Sequence, residues 1–178
     1  QDLGRAALEQ DKPLVLDADG LNNLANIDDW PAIRRCPLVL TPHPGEFARL
    51  TGRDISDIQS DRIAAADAAV EPWLEAPQTD APLILVLKGA GTVVTDGTRM
   101  YVNDTGNPGM ATGGAGDILT GVTAAMIMQG LDLMPAVAVA VRAHGLAGDL
   151  AARDLGEQAL IASDLLDTIG DAFKEIAV

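Results

Sequence analysis

Three times in its first half the chain repeats one figure: a proline, an unbroken aliphatic run, and a polar residue that ends it. The copies are residues 13–17 (PLVLD), 37–41 (PLVLT) and 82–88 (PLILVLK). A strand with one face in water alternates apolar and polar residues, whereas a strand covered on both faces reads as continuous aliphatics, which is the pattern of a parallel sheet between helical layers. Parallel neighbours need long crossovers, and residues 56–74 supply one, with Ile58, Ile63, Ala66, Val70 and Trp73 at helical spacing and Ser56 as a candidate cap. The result is a βαβ unit. Aromatics make up only 3% of the residues against 48% apolar in all, so the core must be built from Ala, Val, Leu and Ile, as in layered α/β domains.

After Lys88 the rhythm changes. Residues 92–95 and 99–102 flank Asp96-Gly97, the dipeptide of a tight hairpin. The remainder reads as helix over 116–129, 135–153 with Pro135 in its first turn, and 162–176 with Ser163 as a candidate cap. The first dozen residues read as the tail of an amphipathic helix running into the first strand, and a start at Gln1 predicts sequence upstream. At 178 residues the length suits a single domain.

The formal net charge of −14, with no basic patch interleaved with aromatics, argues against a nucleic-acid partner. A nucleotide is not excluded, because a helix N-terminus and a ring of backbone N–H groups attract anions locally. Cys36 is the only cysteine, which excludes an intrachain disulfide and predicts a reducing, cytoplasmic setting. No apolar run approaches the roughly 18 to 20 residues of a membrane span.

The densest chemical signal is NPGMATGGAGD, residues 107–117. Gly106, Gly109, Gly113, Gly114 and Gly116 fall within eleven residues, directly before a helix whose inward face includes Ile118, Leu119, Val122 and Met126. Clustered glycines let N–H groups converge on an anion, and Asp117 stands in the first helical turn, either as a catalytic base or as a carboxylate favoured by the helix dipole. No Gly-Lys-Ser/Thr follows, so this is not a Walker A loop; a dinucleotide fingerprint also lacks its third glycine.

Three further loops follow aliphatic runs, at the edge where open parallel sheets bind ligands. Lys88, Gly89, Ala90, Gly91 and Thr92 offer a lysine to a phosphate, or only a surface turn. Thr41-Pro42-His43-Pro44-Gly45-Glu46 stiffens His43 with two prolines and begins a helix at Glu46, a positioned functional loop or a rigid connection. Asp17, Asp19, Asn22 and Asn23 suit a hydroxyl-rich ligand or a water-bound Mg²⁺, or equally an Asx turn with a helix cap. His144, between the small Ala140 and Gly148, reads as a structural histidine.

Taken jointly, LVLDADGLNNL, LTPHPGEFARLTG, LVLKGAGTVVTDG, NPGMATGGAGDILTGV and HGLAGD, in this order and over nearly the whole chain, are similar to the NAD(P)H-hydrate dehydratases of the ribokinase-like superfamily. The resemblance implies a three-layer α/β/α fold with a mostly parallel central sheet, of which this chain would be the C-terminal portion. An N-terminal part of roughly a hundred residues would stand outside it. It implies nucleotide contacts from Lys88, Gly89, Ala90, Gly91, Thr92 and Gly116, and an anion hole at Gly113, Gly114 and Ala115. Substrate contacts fall to His43, Asn107 and Asp117, with Asp117 as the base. Mg²⁺ held through water at Glu46 is implied as cofactor, and ADP, or else ATP, as phosphoryl donor. The superfamily's Asn-x-x-Glu motif carries His43 in place of Asn here, which argues against an ordinary sugar or vitamin kinase.

The implied reaction is dehydration of hydrated NADH and NADPH, a lyase step in metabolite repair. The implied partners are a second copy of the chain, and a separate N-terminal fragment or a fused epimerase domain. A superfamily kinase for a small alcohol and a catalytically incomplete adenine-nucleotide-binding module are the alternatives.

Overall fold

The computed structural model describes residues 2–75 and 79–177. The element order is α1 (Asp2–Leu8), β1 (Leu14–Leu16), α2 (Asp19–Leu24), α3 (Trp30–Ile33), β2 (Leu38–Leu40), α4 (Pro44–Thr51), α5 (Ile55–Ser60), α6 (Arg62–Leu74), β3 (Leu83–Leu87), β4 (Val93–Thr95), β5 (Met100–Val102), α7 (Ala115–Met128), α8 (Leu133–Leu155) and α9 (Ala162–Ile176). Single 3₁₀ turns occupy Pro108–Met110 and Glu157–Ala159.

The three aliphatic runs form three neighbouring parallel strands in a sheet of order β1-β2-β3-β4-β5. Leu14 sits beside Leu38, and Leu38 beside Leu83. All of β2 and β3 is buried, as continuous apolarity requires. β4 then runs antiparallel to β3, with Leu85 opposite Thr95, and β5 returns from it through the Asp96-Gly97 turn. That turn is built by one carboxylate: Asp96 Oδ1 accepts from Thr98 N at 2.9 Å, Thr98 Oγ1 at 2.8 Å and Arg99 N at 2.6 Å.

The chain divides into two compact units, residues 1–89 with 93–101, and residues 90–92 with 102–178. In the first, Leu21, Leu24, Phe47, Ile58, Val70 and the strand leucines close one core, where Trp30 meets Trp73 edge to face at 5.2 Å. Cys36 is buried there, and burial pushes its thiol pKa up despite the nearby Arg34, so it behaves as a small apolar residue. Arg34 is itself buried, and its Nη1 donates to Cys36 O at 2.9 Å and Ala81 O at 2.8 Å, tying the starts of β2 and β3 together. In the second unit α7, α8 and α9 pack on one another through two small clusters, one around Ala115, Ala151, Leu160 and Leu165, the other around Met126, Ala136 and Ala140.

Two capping expectations are corrected. The helix expected over 56–74 is two helices, because the Asp61 side chain accepts from Ala64 N at 2.9 Å and restarts the helix there. That break shifts the helical phase, so Ile58, Ala66 and Val70 are buried while Ile63 is 48% exposed. Ser56 and Ser163 both lie inside their helices and not at the caps; at α9 the Asp164 carboxylate accepts from Ile161 N at 2.9 Å.

Candidate functional site

In the first unit three loops leave the carboxyl ends of β1, β2 and β3 and carry Asp17, His43 and Lys88. Their backbones are tied: Thr41 N donates to Leu16 O at 3.1 Å and Lys88 N to Pro42 O at 2.8 Å. Lys88 Nζ lies 2.6 Å from Asp17 Oδ1 and 3.9 Å from Glu46 Oε2. Both carboxylates are almost fully buried, whereas the lysine side chain keeps 19% of its exposure. A low local dielectric strengthens such a cluster, and it counts two negative groups against one positive. The lysine expected to meet a phosphate is therefore held by Asp17 first.

His43 is the N-cap of α4. Its Nδ1 accepts from Gly45 N at 2.9 Å and Glu46 N at 3.2 Å, while Glu46 Oε2 accepts from His43 N at 2.8 Å, a reciprocal capping box. With Nδ1 accepting, the ring proton sits on Nε2, which faces Glu46 Oε1 at 3.3 Å. Nδ1 is thus engaged in the cap, while Nε2 meets Glu46 Oε1 only at ion-pair distance and the ring stays half-exposed. Asp19 and Asn22 lie on α2, where Asn22 accepts from Arg49 Nη1 at 2.7 Å. Ala18, between Asp17 and that helix, has φ 49° and ψ −120°, a strained backbone for an L-residue.

Arg62 was not singled out by the sequence. Its Nη2 donates to Leu87 O at 2.8 Å and Lys88 O at 3.0 Å, and its guanidinium lies against Gly89. It caps the end of β3 just where the Lys88-Gly89 turn begins. Burial lowers its pKa. Nothing in the local sequence announces a contact that the crossover alone creates.

In the second unit lie Ala90, Gly91 and Thr92, whose carbonyl accepts from Asn103 N at 2.9 Å, and the whole glycine-rich segment. Asn107 caps the Pro108–Met110 turn: its Oδ1 accepts from Gly109 N at 3.0 Å and its Nδ2 donates to Asp149 Oδ1 at 3.0 Å. The amide expected to touch substrate is therefore engaged at both ends within the protein. Gly114 takes φ 93° at the N-cap of α7, a left-handed conformation that glycine adopts without strain. Among the described residues the N–H groups of Gly113, Gly114, Gly116 and Asp117 find no acceptor in the chain, whereas Ala115 N reaches Thr112 O at 3.4 Å. Asp117 is exposed at the third helical position. A set of unclaimed N–H groups with the dipole behind them is the local requirement for holding a phosphoryl group. His144 is the structural residue expected, with Nε2 donating to Ala115 O at 2.8 Å.

Among the described residues no group of three or more His, Cys, Asp or Glu side chains is arranged to hold a metal ion, and Glu46 commits its Oε2 to its own helix start. A Mg²⁺ held by the protein alone does not fit these residues.

A family profile described as NAD(P)H-hydrate dehydratase matches residues 1–171. The chain belongs to the NAD(P)H-hydrate dehydratase family. It is similar to the bifunctional NAD(P)H-hydrate repair enzyme of Moorella thermoacetica, 48% identical over 157 residues, which is 87% of this chain but 28% of that protein. Among solved structures it is similar to the ADP/ATP-dependent NAD(P)H-hydrate dehydratase of Bacillus subtilis co-crystallised with ATP and Mg²⁺, at TM-score 0.75 and 33% identity, covering 94% of this chain and 56% of that one. A ribokinase-like superfamily protein of Enterococcus faecalis shares the fold, at TM-score 0.75 and 23% identity, over 98% of this chain and 57% of that one. The fold is ribokinase-like, as expected. The chain spans between about a quarter and three-fifths of the length of these family relatives. Among the described residues no helix is long and apolar enough to cross a membrane.

Proposed function

We propose that the protein carrying this chain converts hydrated NADH and NADPH to NADH and NADPH, with ADP or ATP as phosphoryl donor. The observation that carries the reading is the exposed Asp117 carboxylate, set in the first turn of α7 beside the unclaimed N–H groups of Gly113, Gly114 and Gly116. Family membership supports the substrate class, and the ADP/ATP dependence of the Bacillus relative supports the donor.

Hydroxide is a poor leaving group from C6 of the hydrated ring, and phosphate is a good one. Asp117 takes the C6 hydroxyl proton as that oxygen attacks the terminal phosphorus, and the bond from phosphorus to the bridging oxygen of the nucleotide breaks. ADP leaves as AMP, or ATP as ADP. The glycine N–H groups hold the charge that builds on the transferred phosphoryl oxygens. The ring nitrogen lone pair then expels inorganic phosphate and leaves an N1=C6 iminium, and loss of a C5 proton to the departing phosphate restores the C5=C6 bond of the dihydronicotinamide. Asp117 returns its proton to solvent. Nucleotide contacts by Lys88, Gly89, Ala90, Gly91, Thr92 and Gly116, and a substrate contact by His43, are proposed from the family resemblance. So are a water-bridged Mg²⁺ at Glu46, a homo-oligomer, a cytoplasmic location and an epimerase partner.

The test supplies the full-length protein with hydrated NADH and ADP or ATP. Recovery of the dihydronicotinamide absorbance, with one phosphate released per NADH formed, is the expected result. A stable phosphorylated product would mean a kinase, and nucleotide binding without turnover a binding module; either sinks the proposal.

A further inference from the structure

The HGLAGD segment on α8 takes no part in the proposed chemistry, yet His144, Gly145, Gly148 and Asp149 recur at the spacing of a single helix face. Each touches the glycine-rich segment. Asp149 Oδ2 accepts from Gly106 N at 2.8 Å and its Oδ1 from Asn107 Nδ2 at 3.0 Å. A Cβ at Gly145 would lie 2.8 Å from the Thr105 backbone, and one at Gly148 would lie 2.6 Å from Met110 Cγ. Thr105 Oγ1 also donates to Arg142 O at 3.1 Å, one helical turn earlier. Beyond the turn, His144 holds the carbonyl of Ala115, the first residue of α7.

The segment from 105 to 110 is thus fastened to α8 before the turn, and Ala115 is fastened to the same helix after it. Residues 111–114 bridge two fixed points. We infer that Asp149, through Asn107, is a positioning residue that fixes the anion-binding turn and the Asp117 carboxylate next to it. The inference rests on the reading of Asp117 as the base. It also reassigns Asn107 from substrate contact to the middle of a clamp that runs from Asp149 to Gly109 N.

The hydrogen-bond inventory makes this separable. Asn107→Asp alone sets two carboxylates against each other. Asp149→Asn alone leaves two NH₂ groups facing, and turning the Asn107 amide only moves the clash to Gly109 N–H. The exchange Asn107→Asp with Asp149→Asn restores every bond with the polarity of the middle one reversed: residue 149 still accepts from Gly106 N and now donates to residue 107, which still accepts from Gly109 N.

In the full-length protein each single variant is expected to lose about 10- to 100-fold in kcat, as misplacement of a reacting group does, with KM changed less than about threefold. The exchange is expected to recover kcat to within about threefold of wild type. If the exchange stays as slow as Asn107→Asp alone, Asn107 touches substrate and the clamp is overturned; single variants that turn over like wild type overturn it as well. Amide hydrogen exchange at Met110, Ala111 and Ala115, whose N–H groups are bonded within the turn, decides the clamp independently of chemistry. Protection lost in the singles and regained in the exchange supports it, and unchanged protection refutes it. A wild-type protein with no turnover sinks the dehydratase reading alone, and hydrogen exchange then decides by itself whether Asp149 holds the turn.

Discussion

Replacing Lys88 with methionine takes a cation from beside two buried carboxylates and leaves a side chain of similar length. At 2.6 Å from Asp17 and 3.9 Å from Glu46, the gross Coulomb attraction at an effective dielectric near 20 is about 6 and about 4 kcal/mol. Desolvation of all three groups offsets most of it. What remains measurable is the cost of leaving the carboxylates behind, about 3–5 kcal/mol when one partner of a buried pair is removed. The lysine side chain is 19% exposed, and water reaching the site lowers the expectation to about 2–4 kcal/mol. Asp17→Asn in the Lys88→Met background removes one stranded charge and is expected to return about 1–2 kcal/mol as coupling. Urea unfolding of the wild type, both single variants and the double variant at neutral pH reads the cycle directly. A Lys88→Met cost below about 0.5 kcal/mol, or strictly additive variants, would refute the idea that this cluster is held together by charge.

Two further predictions concern turns. Burial raises the pKa of Asp96, but the Arg99 N–H, the Thr98 hydroxyl and N–H and the Arg99 side chain outweigh it and hold the carboxyl at about 2, below its ordinary 3.8. A depressed carboxylate stabilises the fold above its unfolded pKa and loses that contribution as pH falls through the folded one. Asp96→Ala is therefore expected to cost about 2 kcal/mol near pH 7 and progressively less from about pH 4 down to about pH 2, measured by denaturant unfolding across that range; a cost that does not change with pH would contradict it. Ala18→Gly relieves a positive φ of 49° and is expected to raise stability by about 1 kcal/mol even though glycine loosens the unfolded chain, read as a higher urea midpoint. A lower midpoint would mean that Ala18 is not strained.

How much was legible follows from how local each signal is. The aliphatic runs fixed β1, β2 and β3 because continuous apolarity has few other uses, and Asp96-Gly97 gave the hairpin because its turn chemistry lies within four residues. Glu46 at a helix start and the glycine-rich entry to α7 were legible for the same reason. The restart at Asp61 was not, since Ile58, Ile63, Ala66 and Val70 fit one helical period well enough to hide a break that a single side chain creates. At the site, residue types were readable but their engagements were not. Lys88 and Asp17 are 71 positions apart, Asn107 and Asp149 are 42 apart, and pairings at that separation are decided by topology. His43 was readable as a positioned loop residue, but the commitment of its Nδ1 to the cap of α4 was not.

The central claim is that Asp117 removes the proton from the hydroxyl that is to be phosphorylated. Asp117→Asn keeps the shape of the α7 start and removes the base. Single-turnover assays of the full-length protein with hydrated NADH and ADP or ATP, alongside nucleotide binding by calorimetry, are expected to show about a 100- to 10,000-fold loss in the chemical step, with nucleotide affinity held within about threefold. Turnover of Asp117→Asn within a few-fold of wild type would show that the base lies elsewhere.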